Sequence, residues 1–398
     1  MSASKSKIYD VAIIGGGLAG LTLACLLGQV GVSVACIDRA PKKVTSTKDL
    51  RTTAISYGSS KILDQAGIWP LMKGKTSAID DIQILDGQSS ILLNFLSAET
   101  QGKSFGWIVE NTELRAAMMK TLKGLKSAAH IPDTTITDFT VNDDHVTCQT
   151  GTDKPIKARL IVGADGRGSF TRKWMDVPVR EWNYQQRAVI CTVSHENPHN
   201  NVAVEHFWPE GPFAVLPMAD DKKGAHRSSV VFTEHGPDSA SLMHYTDEEF
   251  EMALAARFPE RYGDIKLANK RVAYPLGLVH ASAYIAPRMA LVADAAHGIH
   301  PIAGQGLNLG FRDVRELASL ITRAHENGAD VGNNDLLETY QRRRRPDNMA
   351  MVAMTDGLNR LFSNNIPPVR LLRRAGLRLV SKLRPAKKFF MKQAMGDR

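Results

Sequence analysis

The chain has 398 residues, of which 43% are hydrophobic and 23% charged, and its 50 basic and 41 acidic residues give a net charge of +9. A chain of this length and composition can bury a large core without disulfides or a structural metal, so disordered, fibrous and disulfide-rich classes are excluded. The four cysteines, Cys25, Cys36, Cys148 and Cys191, form no CxxC pair, which favours a reducing compartment.

No segment of the sequence indicates membrane insertion or export. The longest apolar run, residues 21–37, is interrupted by glycines and polar residues, whereas a spanning helix needs roughly 20 apolar residues. Residues 1–7 lack the apolar core of a signal peptide. We therefore expect a cytoplasmic protein that does not cross a membrane.

The chain opens with a βαβ pattern. Residues 8–14 are typical of a buried strand, residues 18 to about 30 of a helix, and residues 32–37 of the next strand. The turn between the first strand and the helix is Gly15-Gly16-Gly17-Leu18-Ala19-Gly20, a GxGxxG motif in the context that binds dinucleotides.

Each position of this motif has a physical role in phosphate binding. Gly15 permits a tight turn, Gly17 has no side chain to hold a pyrophosphate away, and Gly20 lets the helix approach the strand. The helix N-terminus presents amide groups and partial positive charge to the phosphates. Asp38, about 20 residues further on at the end of the second strand, can accept hydrogen bonds from ribose hydroxyls. The motif by itself is compatible with both FAD and NAD.

Two later strands also end in acidic turns. Residues 158–164 lead into Asp165-Gly166, and residues 289–293 lead into Asp294, a glycine-rich turn and a helix over about 307–324. Between them, residues 183–284 contain short β-type runs, which predict an inserted sheet-rich domain.

A helical stretch over residues 336–362 precedes a basic tail. Residues 366–398 hold ten basic residues and one acidic residue, a net of +9, so the rest of the chain is neutral and nucleic-acid binding is not expected. On a helical wheel the predicted apolar side contains Val369, Leu372, Ala375, Leu379 and Leu383, and the basic side contains Arg370, Arg374, Arg378 and Lys382. This tail either contacts an anionic membrane surface or partner protein, or docks its apolar side on the protein's own core.

Two glycine-rich stretches, residues 163–172 (GADGRGSFTR) and 293–310 (ADAAHGIHPIAGQGLNLG), carry a family resemblance. The sequence resembles the flavoprotein aromatic hydroxylases of the p-hydroxybenzoate hydroxylase type, and most of all their ubiquinone-biosynthesis branch, from about residue 8 to about residue 362. Further matching segments are residues 51–55, 111–115, 182–186 and 340–347.

The resemblance implies an α/β fold in which a Rossmann-like FAD-binding domain is interrupted by a β-sheet-rich substrate domain and followed by a C-terminal helical tail. We assign residues 1–76, 101–180 and 285–365 to the FAD-binding domain, residues 77–100 and 181–284 to the substrate domain, and residues 366–398 to the tail.

The resemblance also implies a set of residues that bind FAD. Asp294 is expected to hydrogen-bond the ribityl chain, the turn from Gly304 to Asn308 to pass beneath the isoalloxazine ring, and Arg51 and Arg115 to lie near the flavin and the pyrophosphate. Asp165 is expected to support the site by bonding backbone NH groups and a neighbouring arginine such as Arg172. The complete set of predicted cofactor-binding residues is Gly15, Gly17, Leu18, Ala19, Gly20, Asp38, Arg39, Arg51, Arg115, Asp165, Asp294, Pro301, Gly304, Gly306, Leu307 and Asn308.

By the same resemblance, reduced FAD reacts with O2 to give a C4a-hydroperoxide that hydroxylates a lipophilic aromatic quinone precursor. Only one GxGxxG follows a strand, so NAD(P)H or a protein electron donor is expected to visit transiently. Residues 206–217 are apolar enough to line the substrate pocket, although core packing explains them equally well. No catalytic side chain is identified. The alternatives are a hydroxylase of a small soluble phenol, another flavoenzyme on this fold, and a non-catalytic FAD-bound scaffold of a quinone-biosynthesis assembly.

Two other motifs have less specific interpretations. His297 and His300 have HxxH spacing, but no glutamate follows as in a zincin and the turn lies where the resemblance expects flavin, so no metal site is predicted. The arginine run 342–345, with Asp347 close by, is interpreted as a solvated, ion-paired helix face.

Overall fold

The structure is a computed structural model, and it describes most of the chain. The described residues are 7–41, 49–87, 92–152, 154–237, 241–300, 304–363 and 366–396. Pro301, which we predicted to bind the cofactor, lies outside them, as do the side chains of Arg370 and Leu372.

An eight-stranded sheet forms the first layer of the fold. Its strands are β1 (Ile8–Ile14), β2 (Val34–Ile37), β8 (Ala128–Ile131), β9 (Ile136–Val141), β10 (Val146–Thr150), β11 (Ile156–Gly163), β18 (Ile285–Ala286) and β19 (Met289–Leu291). The strands β19-β11-β1-β2-β8 run parallel in that order, with β1 in the middle. Buried apolar residues on both faces of β1 and β2 match the pattern of parallel strands covered on both sides.

Helices cover the parallel strands. They are α1 (Leu18–Gln29), α2 (Tyr57–Gln65), α3 (Asn111–Lys123), α4 (Phe170–Trp174), α6 (Gln305–Glu326) and α7 (Asn334–Phe362), while α5 (Asp247–Ala255) lies in the second domain. Helices α1, α3 and α6 pack together against the sheet, and their apolar side chains form the largest core cluster. The predicted first strand, first helix and two long later helices are therefore confirmed to within a few residues.

A nine-stranded sheet forms the second layer. Its strands are β5 (Asp81–Asp86), β6 (Leu93–Leu96), β12 (Val179–His195), β13 (Val202–Trp208), β14 (Gly211–Met218), β15 (His226–His235), β16 (Ile265–Leu267), β17 (Val272–Ala281) and β20 (His297–Gly298). The predicted sheet-rich insertion is present, and β5 and β6 join it from an earlier part of the chain. The exact domain limits stay a prediction.

A small sheet lies between these two layers. It consists of β3 (Thr52–Ser56), β7 (Gly106–Glu110) and β4 (Thr76–Ile79), all antiparallel. Val109 of β7 packs into the core of the first layer, while Ile108 and Ala54 pack into a cluster with side chains of the nine-stranded sheet. The small sheet therefore joins the two domains. Short 3-10 helices occur at Trp69–Met72, Ser97–Thr100, Leu242–His244, Glu260–Tyr262 and Ala293–Ala295.

The basic tail forms two helices, α8 (Pro367–Lys382) and α9 (Arg384–Met395). Leu379 and Leu383, on the side predicted to be apolar, are 57% and 47% exposed, so these two residues do not dock on the protein's own core, which was one of the two alternatives. Leu377 and Val380 pack inward, against a cluster that includes residues of the nine-stranded sheet. Arg373 is buried on this inward face and pairs with Asp86.

The described part of the chain contains no helix that is long and apolar enough to cross a bilayer. All four cysteines are buried free thiols. Burial raises the pKa values of Cys25, Cys148 and Cys191 to about 12. These thiols therefore serve as small apolar core residues.

Candidate cofactor and substrate site

The turn from Gly15 to Gly20 is shaped by close backbone contacts and leaves one open side. Gly15 has φ +114°, and a Cβ there would lie 2.3 Å from the Ala164 carbonyl oxygen. A Cβ on Gly20 would lie 2.0 Å from the Gly15 carbonyl oxygen. A Cβ on Gly17 would meet no atom within 4 Å. Gly15 and Gly20 are therefore required because neighbouring backbone leaves no room for a side chain, whereas the side of the turn at Gly17 faces open space.

This open side fits a pyrophosphate. Gly17 is the N-cap of α1, and no side chain of the described residues caps the helix. The amides of Leu18, Ala19 and Gly20 precede the first intrahelical bond, from Leu21 N to the Gly17 carbonyl, so they remain available to an anion. The residues present thus match the phosphates of a dinucleotide.

Asp38 ends β2 beside this turn and is 9% exposed. Its Oδ1 accepts a hydrogen bond of 3.0 Å from the Ala40 amide, and its Oδ2 lies 3.1 Å from Arg115 Nη2. Arg115, on α3, also donates to the Gly16 carbonyl. Arg39 is exposed next to Asp38. The fold therefore brings Arg115 to the ribose and pyrophosphate end of the predicted site.

The side chain of Asp165 forms hydrogen bonds within its own turn. Its Oδ2 accepts hydrogen bonds from the Thr171 amide at 2.9 Å and the Thr171 hydroxyl at 3.0 Å. The predicted bonding to a backbone NH is therefore confirmed. The predicted hydrogen bond to Arg172 is wrong, because Arg172 donates to the carbonyls of Ala295 at 2.8 Å and Arg167 at 2.7 Å. Arg172 thus links the Asp165 turn to the turn that carries Asp294.

Asp294 is exposed although Ala293 and Ala295 on either side are buried. Ala293 has φ +53°, and its amide donates to Asp313 Oδ2 at 3.1 Å, so the turn is fixed from beneath. Among the described residues, none forms a hydrogen bond or ion pair with the Asp294 side chain. This carboxylate is therefore available to accept hydrogen bonds from ribityl hydroxyls.

The N-terminus of α6 is held against strand β3. Gly304 has φ +62° and is the N-cap of α6, and a Cβ there would lie 3.0 Å from Ala54 Cβ. Asn308 is 1% exposed; its Oδ1 accepts from the Ser56 amide at 2.9 Å and its Nδ2 donates to the Ala54 carbonyl at 2.8 Å. The side chain of Asn308 thus forms its hydrogen bonds within the protein. The part of this turn that could contact a flavin ring is therefore its backbone.

Gly306 and Leu307 follow at the start of α6. A Cβ on Gly306 would meet Ile299 at 3.9 Å, an ordinary contact, and Leu307 packs partly buried against the main core. The structure thus places the turns at Gly15, Asp165 and Asp294 after three neighbouring parallel strands of the first sheet. Their contacts with FAD stay a prediction.

Arg51 lies immediately before β3. Its guanidinium donates to both carboxylate oxygens of Asp49 at 2.7 Å and lies 5.3 Å from the centre of the Tyr274 ring. Burial alone would raise the pKa of Asp49, but hydrogen bonds from Arg51 and Asn111 lower it. Arg51 is therefore positioned between the cofactor turns and the nine-stranded sheet.

A buried ionic network supports the Asp294 turn from behind. Asp313 is fully buried and pairs with His297 Nε2 at 2.5 Å and Arg344 Nε at 2.8 Å. Burial alone would raise the pKa of Asp313, but His297 and Arg344 lower it to about 2. Arg344 also pairs with Asp347 at 2.7 Å. Loss of this network would release both α7 and the Asp294 turn.

This network corrects the interpretation of the arginine run. Arg342 and Arg343 are exposed and Arg344 is ion-paired, as predicted, but Arg344 is only 7% exposed and is not part of a solvated face. His297 is committed to Asp313, and the ring of His300 packs edge-on against Tyr184 with centroids 5.1 Å apart.

The β13–β14 hairpin contains the apolar stretch 206–217, and its two faces differ. Phe213 and Val215 point into the core of the substrate domain. Leu216 points the opposite way, into the cluster shared with the small sheet and the tail. Both faces of this stretch therefore contribute to core clusters, as core packing predicts, and its lining of a substrate pocket stays a prediction.

Sequence reasoning missed two polar groups, one close to Asp38 and Arg115 and one on the nine-stranded sheet. His130 on β8 lies opposite Cys36 on the neighbouring strand β2. Its buried Nε2 has no hydrogen-bond partner among the described residues. Glu205 on β13 faces an apolar surface. Neither lies in a motif, and only the position of its strand in a sheet could have identified it.

Comparison with protein families gives one match that covers most of the chain. The FAD binding domain family matches residues 8–355. Ubiquinone hydroxylase UbiL of Rhodospirillum rubrum is 42% identical over 398 residues, covering 100% of this chain and 91% of that protein. The 3-demethoxyubiquinol 3-hydroxylase of Escherichia coli is 32% identical, covering 97% of this chain and 98% of that protein.

Human ubiquinone biosynthesis monooxygenase COQ6 is also 32% identical, with coverage of 98% of this chain and 93% of that protein. Among solved structures, p-nitrophenol 4-monooxygenase PnpA from Pseudomonas putida superposes with a TM-score of 0.81 at 20% identity, covering 99% of this chain and 100% of that one. This structure shares the fold.

Proposed function

This chain belongs to the FAD binding domain family, and from that membership we propose that it is an FAD-dependent monooxygenase that hydroxylates the aromatic ring of a polyprenylated ubiquinone precursor. Relatives at 42% and 32% identity bear the names of ubiquinone and demethoxyubiquinol hydroxylases, which supports this substrate class. Bound FAD supplies activation of O2 and transfer of one oxygen atom to the ring, with NAD(P)H or a protein electron donor as transient reductant.

One observation carries the proposal. Strand β3 is bonded on one side to the cofactor turn, through Asn308 and the backbone of Ala54 and Ser56. On the other side the Thr52 hydroxyl donates to Ser229 Oγ of the nine-stranded sheet at 2.7 Å. The predicted flavin position and the substrate domain therefore meet at a single strand, as oxygen transfer between cofactor and substrate requires.

The residues of this chain have distinct tasks in binding. The N-terminus of α1 binds the pyrophosphate, Asp38 the ribose, and Asp294 the ribityl hydroxyls. The N-terminus of α6 at Gly304 directs positive potential at the ring, which favours its negatively charged reduced form. Apolar side chains between the small sheet and the nine-stranded sheet exclude water from the reacting atoms.

The proposal is tested by the lipids of a strain that lacks this gene. A polyprenylated ring that lacks one hydroxyl should accumulate, and a plasmid copy of the wild-type gene should restore the quinone. An Asp294→Ala copy should not restore it. Normal quinone with unchanged precursor levels in the deletion strain contradicts the proposal.

The same material distinguishes the other functions that the sequence allows. If the protein hydroxylates a small soluble phenol, purified holoenzyme consumes O2 when water-soluble phenols are added, and the quinone level of the deletion strain is normal. If it is a scaffold, the Asp294→Ala protein restores the quinone despite its lack of bound flavin.

We further propose that the tail attaches the protein peripherally to an anionic membrane surface, where such a substrate resides. Leu371 and Leu379 of α8 are 72% and 57% exposed, and Leu383, the C-cap of this helix, is 47% exposed; the three are eight and four residues apart. Arg378 and Lys382 are exposed beside them. An exposed apolar stripe bordered by cations is typical of helices that lie on anionic bilayers.

Helix α9 adds to this surface. Phe389 and Phe390 are 55% and 37% exposed, and Lys388 and Lys392 are exposed beside them. The opposite sides of both helices are docked on the protein through Leu377, Val380 and Met391, so the exposed stripe faces away from the body of the protein.

Vesicle sedimentation tests this surface. Wild-type protein should sediment with phosphatidylglycerol vesicles and less with phosphatidylcholine vesicles, and salt should weaken the binding. A Leu379→Ser, Leu383→Ser variant should lose most of the binding. Met252→Ser, which changes a side chain that is 66% exposed on α5, is the matched control and should bind like wild type. Equal binding of all three proteins rejects the proposal.

A further inference from the structure

One carboxylate lies on the apolar face of the nine-stranded sheet that is turned toward the small sheet. Ala203, Glu205 and Phe207 alternate along β13 and therefore point to the same face. Ala203 belongs to the cluster between the two sheets, and the Phe207 ring stacks on Phe362 of α7 with centroids 3.9 Å apart. Glu205, between them, must point to this side as well.

The neighbours of Glu205 on this face are apolar. Its direct neighbours on the adjacent strands are Ala214 of β14 and Ile84 of β5. The next residues on the same face of these two strands are Leu216 and Ile82, each two positions along. No hydrogen bond or ion pair joins Glu205 to any residue that the structure describes. Burial, with no charged neighbour contributing, raises the pKa of its carboxyl to about 7. A carboxyl in such a position destabilises the fold unless a partner arrives.

Glu205 is not completely covered by its neighbours. It is only half-buried and retains accessible surface, as do Ile82 and Ile84 beside it. Strand β15, which contacts β3 through Ser229, is two strands away from β13. Neighbouring strands are about 4.8 Å apart, so about 10 Å separates β13 from the strand that meets β3. This is a distance that an aromatic ring with its substituents can span.

We infer that Glu205 accepts a hydrogen bond from the ring hydroxyl of the aromatic substrate and removes its proton, an inference that rests on the proposed function. In this step the ring O–H bond breaks, its electron pair stays on the ring oxygen, and the proton forms a bond to a carboxylate oxygen. The total charge is unchanged. The resulting phenolate is more electron-rich, and an electron-rich ring is the better acceptor of an electrophilic oxygen atom.

The charged neighbours of this face are already paired with other groups. Asp86, further along β5, is bound by Arg373 and Arg374 of the tail. Arg227 of β15 pairs with Glu110 at 3.0 Å. Glu205 is therefore the acid on this face that has no cation beside it among the described residues, and an incoming hydroxyl competes with no ion pair.

Three variants of Glu205 distinguish the loss of proton transfer from a change in the size and hydrogen bonding of the side chain. Glu205→Gln keeps the size and the hydrogen bond but cannot take the proton, so KM should change by less than about threefold while kcat falls by about 100-fold. Glu205→Leu removes both functions and should raise KM and lower kcat. Glu205→Asp should recover part of the kcat lost by Glu205→Gln. Glu248→Gln, at an exposed position on α5, is the control.

The direct measurement uses oxidised holoenzyme and geranylphenol as the probe. Binding to wild-type protein should produce the absorbance difference of a phenolate, and the Glu205→Gln variant should bind the probe without that signal. Turnover is followed with dithionite-reduced enzyme mixed with O2 and the same probe. Flavin content, measured from the absorbance of each purified variant, should equal that of wild type, because Glu205 lies on the substrate domain.

The results distinguish this inference from the proposed function. If Glu205→Gln and Glu205→Leu give wild-type phenolate signal and kcat, the inference is wrong while the hydroxylase function stands. If wild-type enzyme itself does not hydroxylate the probe and the deletion strain makes normal quinone, both are wrong. A Glu205→Gln protein that loses flavin also contradicts the inference, because it indicates a structural role.

Discussion

At the scale of single residues, the site depends on side chains whose environments set their chemistry. Asp294 and Asp313 are 19 residues apart and have opposite environments: one is exposed in a turn and the other is buried between His297 and Arg344. The buried carboxylate fixes the turn, and the exposed one is left for the ligand. The sequence motif identified Asp294 but not Asp313, and only the structure shows that the two acids have different environments.

Replacement of Asp294 tests the cofactor assignment. Asp294→Ala removes the acceptor of the ribityl hydroxyls without breaking a hydrogen bond or ion pair of the described residues, so the purified protein should be nearly colourless and should have near wild-type thermal stability as apoprotein. The ratio of flavin to protein absorbance measures this. Asp64→Ala, at an exposed position on α2, should retain full flavin. Full flavin occupancy in the Asp294→Ala protein refutes the assignment.

Glu205 should make stability depend on pH. Its pKa is raised from 4.5 to about 7, so the folded state holds a proton that the unfolded state has lost between these values. The free energy of unfolding should fall as pH rises through this window, by up to about 3 kcal/mol, because the carboxyl must ionise among apolar side chains.

Denaturant unfolding of wild type and Glu205→Gln, across this pH range, isolates the contribution of this one group. The difference in stability between the two proteins should grow in favour of Glu205→Gln as pH rises. A difference that stays constant from about pH 5 to about pH 8 means that Glu205 does not titrate in this window.

At the scale of elements, the tail is attached by a buried ion pair. Asp86 at the end of β5 is fully buried, and its Oδ1 lies 2.5 Å from Arg373 Nη2 and its Oδ2 2.8 Å from Arg374 Nε. Arg373 also donates to the carbonyls of Leu361 and Phe362, at the end of α7. One arginine therefore joins α8, α7 and the nine-stranded sheet.

Removal of Asp86 should release this tail. Asp86→Ala leaves Arg373 buried without its carboxylate and should destabilise the protein by about 3–5 kcal/mol in denaturant unfolding. Protease cleavage within α8 should become faster. Glu99→Ala, which breaks the more exposed pair with Lys387 of α9, is the matched control and should cost less than about 1 kcal/mol. Equal effects of the two substitutions contradict the assigned role of Asp86.

At the scale of the whole molecule, the predicted cofactor site draws on segments that are far apart in the chain. The turns at Gly15, Asp165 and Asp294 follow three neighbouring parallel strands, and the start of α6 is tied to β3. A ligand that contacts all of them is bound by the folded state and not by the unfolded chain. Its binding free energy therefore adds to the stability of the fold.

Addition of FAD to the apoprotein should raise its melting temperature. At a free FAD concentration 1,000 times Kd, the gain in the free energy of unfolding is about 4 kcal/mol. Thermal scans at increasing FAD measure this gain. The Asp294→Ala protein should gain less at the same FAD concentration, and a melting temperature that does not change with FAD contradicts the convergence of these segments on one ligand.

The sequence by itself determined the parts of this protein that depend on local patterns. Buried strands, the glycine turn and Asp38 were predictable because periodicity, backbone freedom and a helix terminus act over a few residues. The family resemblance extended this to the α/β class and to the candidate cofactor residues. The sheet-rich insertion was visible as a change in pattern between two acidic turns.

Only the tertiary structure decided which partner each polar side chain meets. Arg344 and Arg373 are buried because acids from distant segments, Asp313 and Asp86, lie opposite them. Asn308 is committed to β3, and the face of β13 that carries Glu205 was fixed by its pairing with β14 and β5. Such outcomes depend on register and packing across hundreds of residues, and no local period in the sequence encodes them.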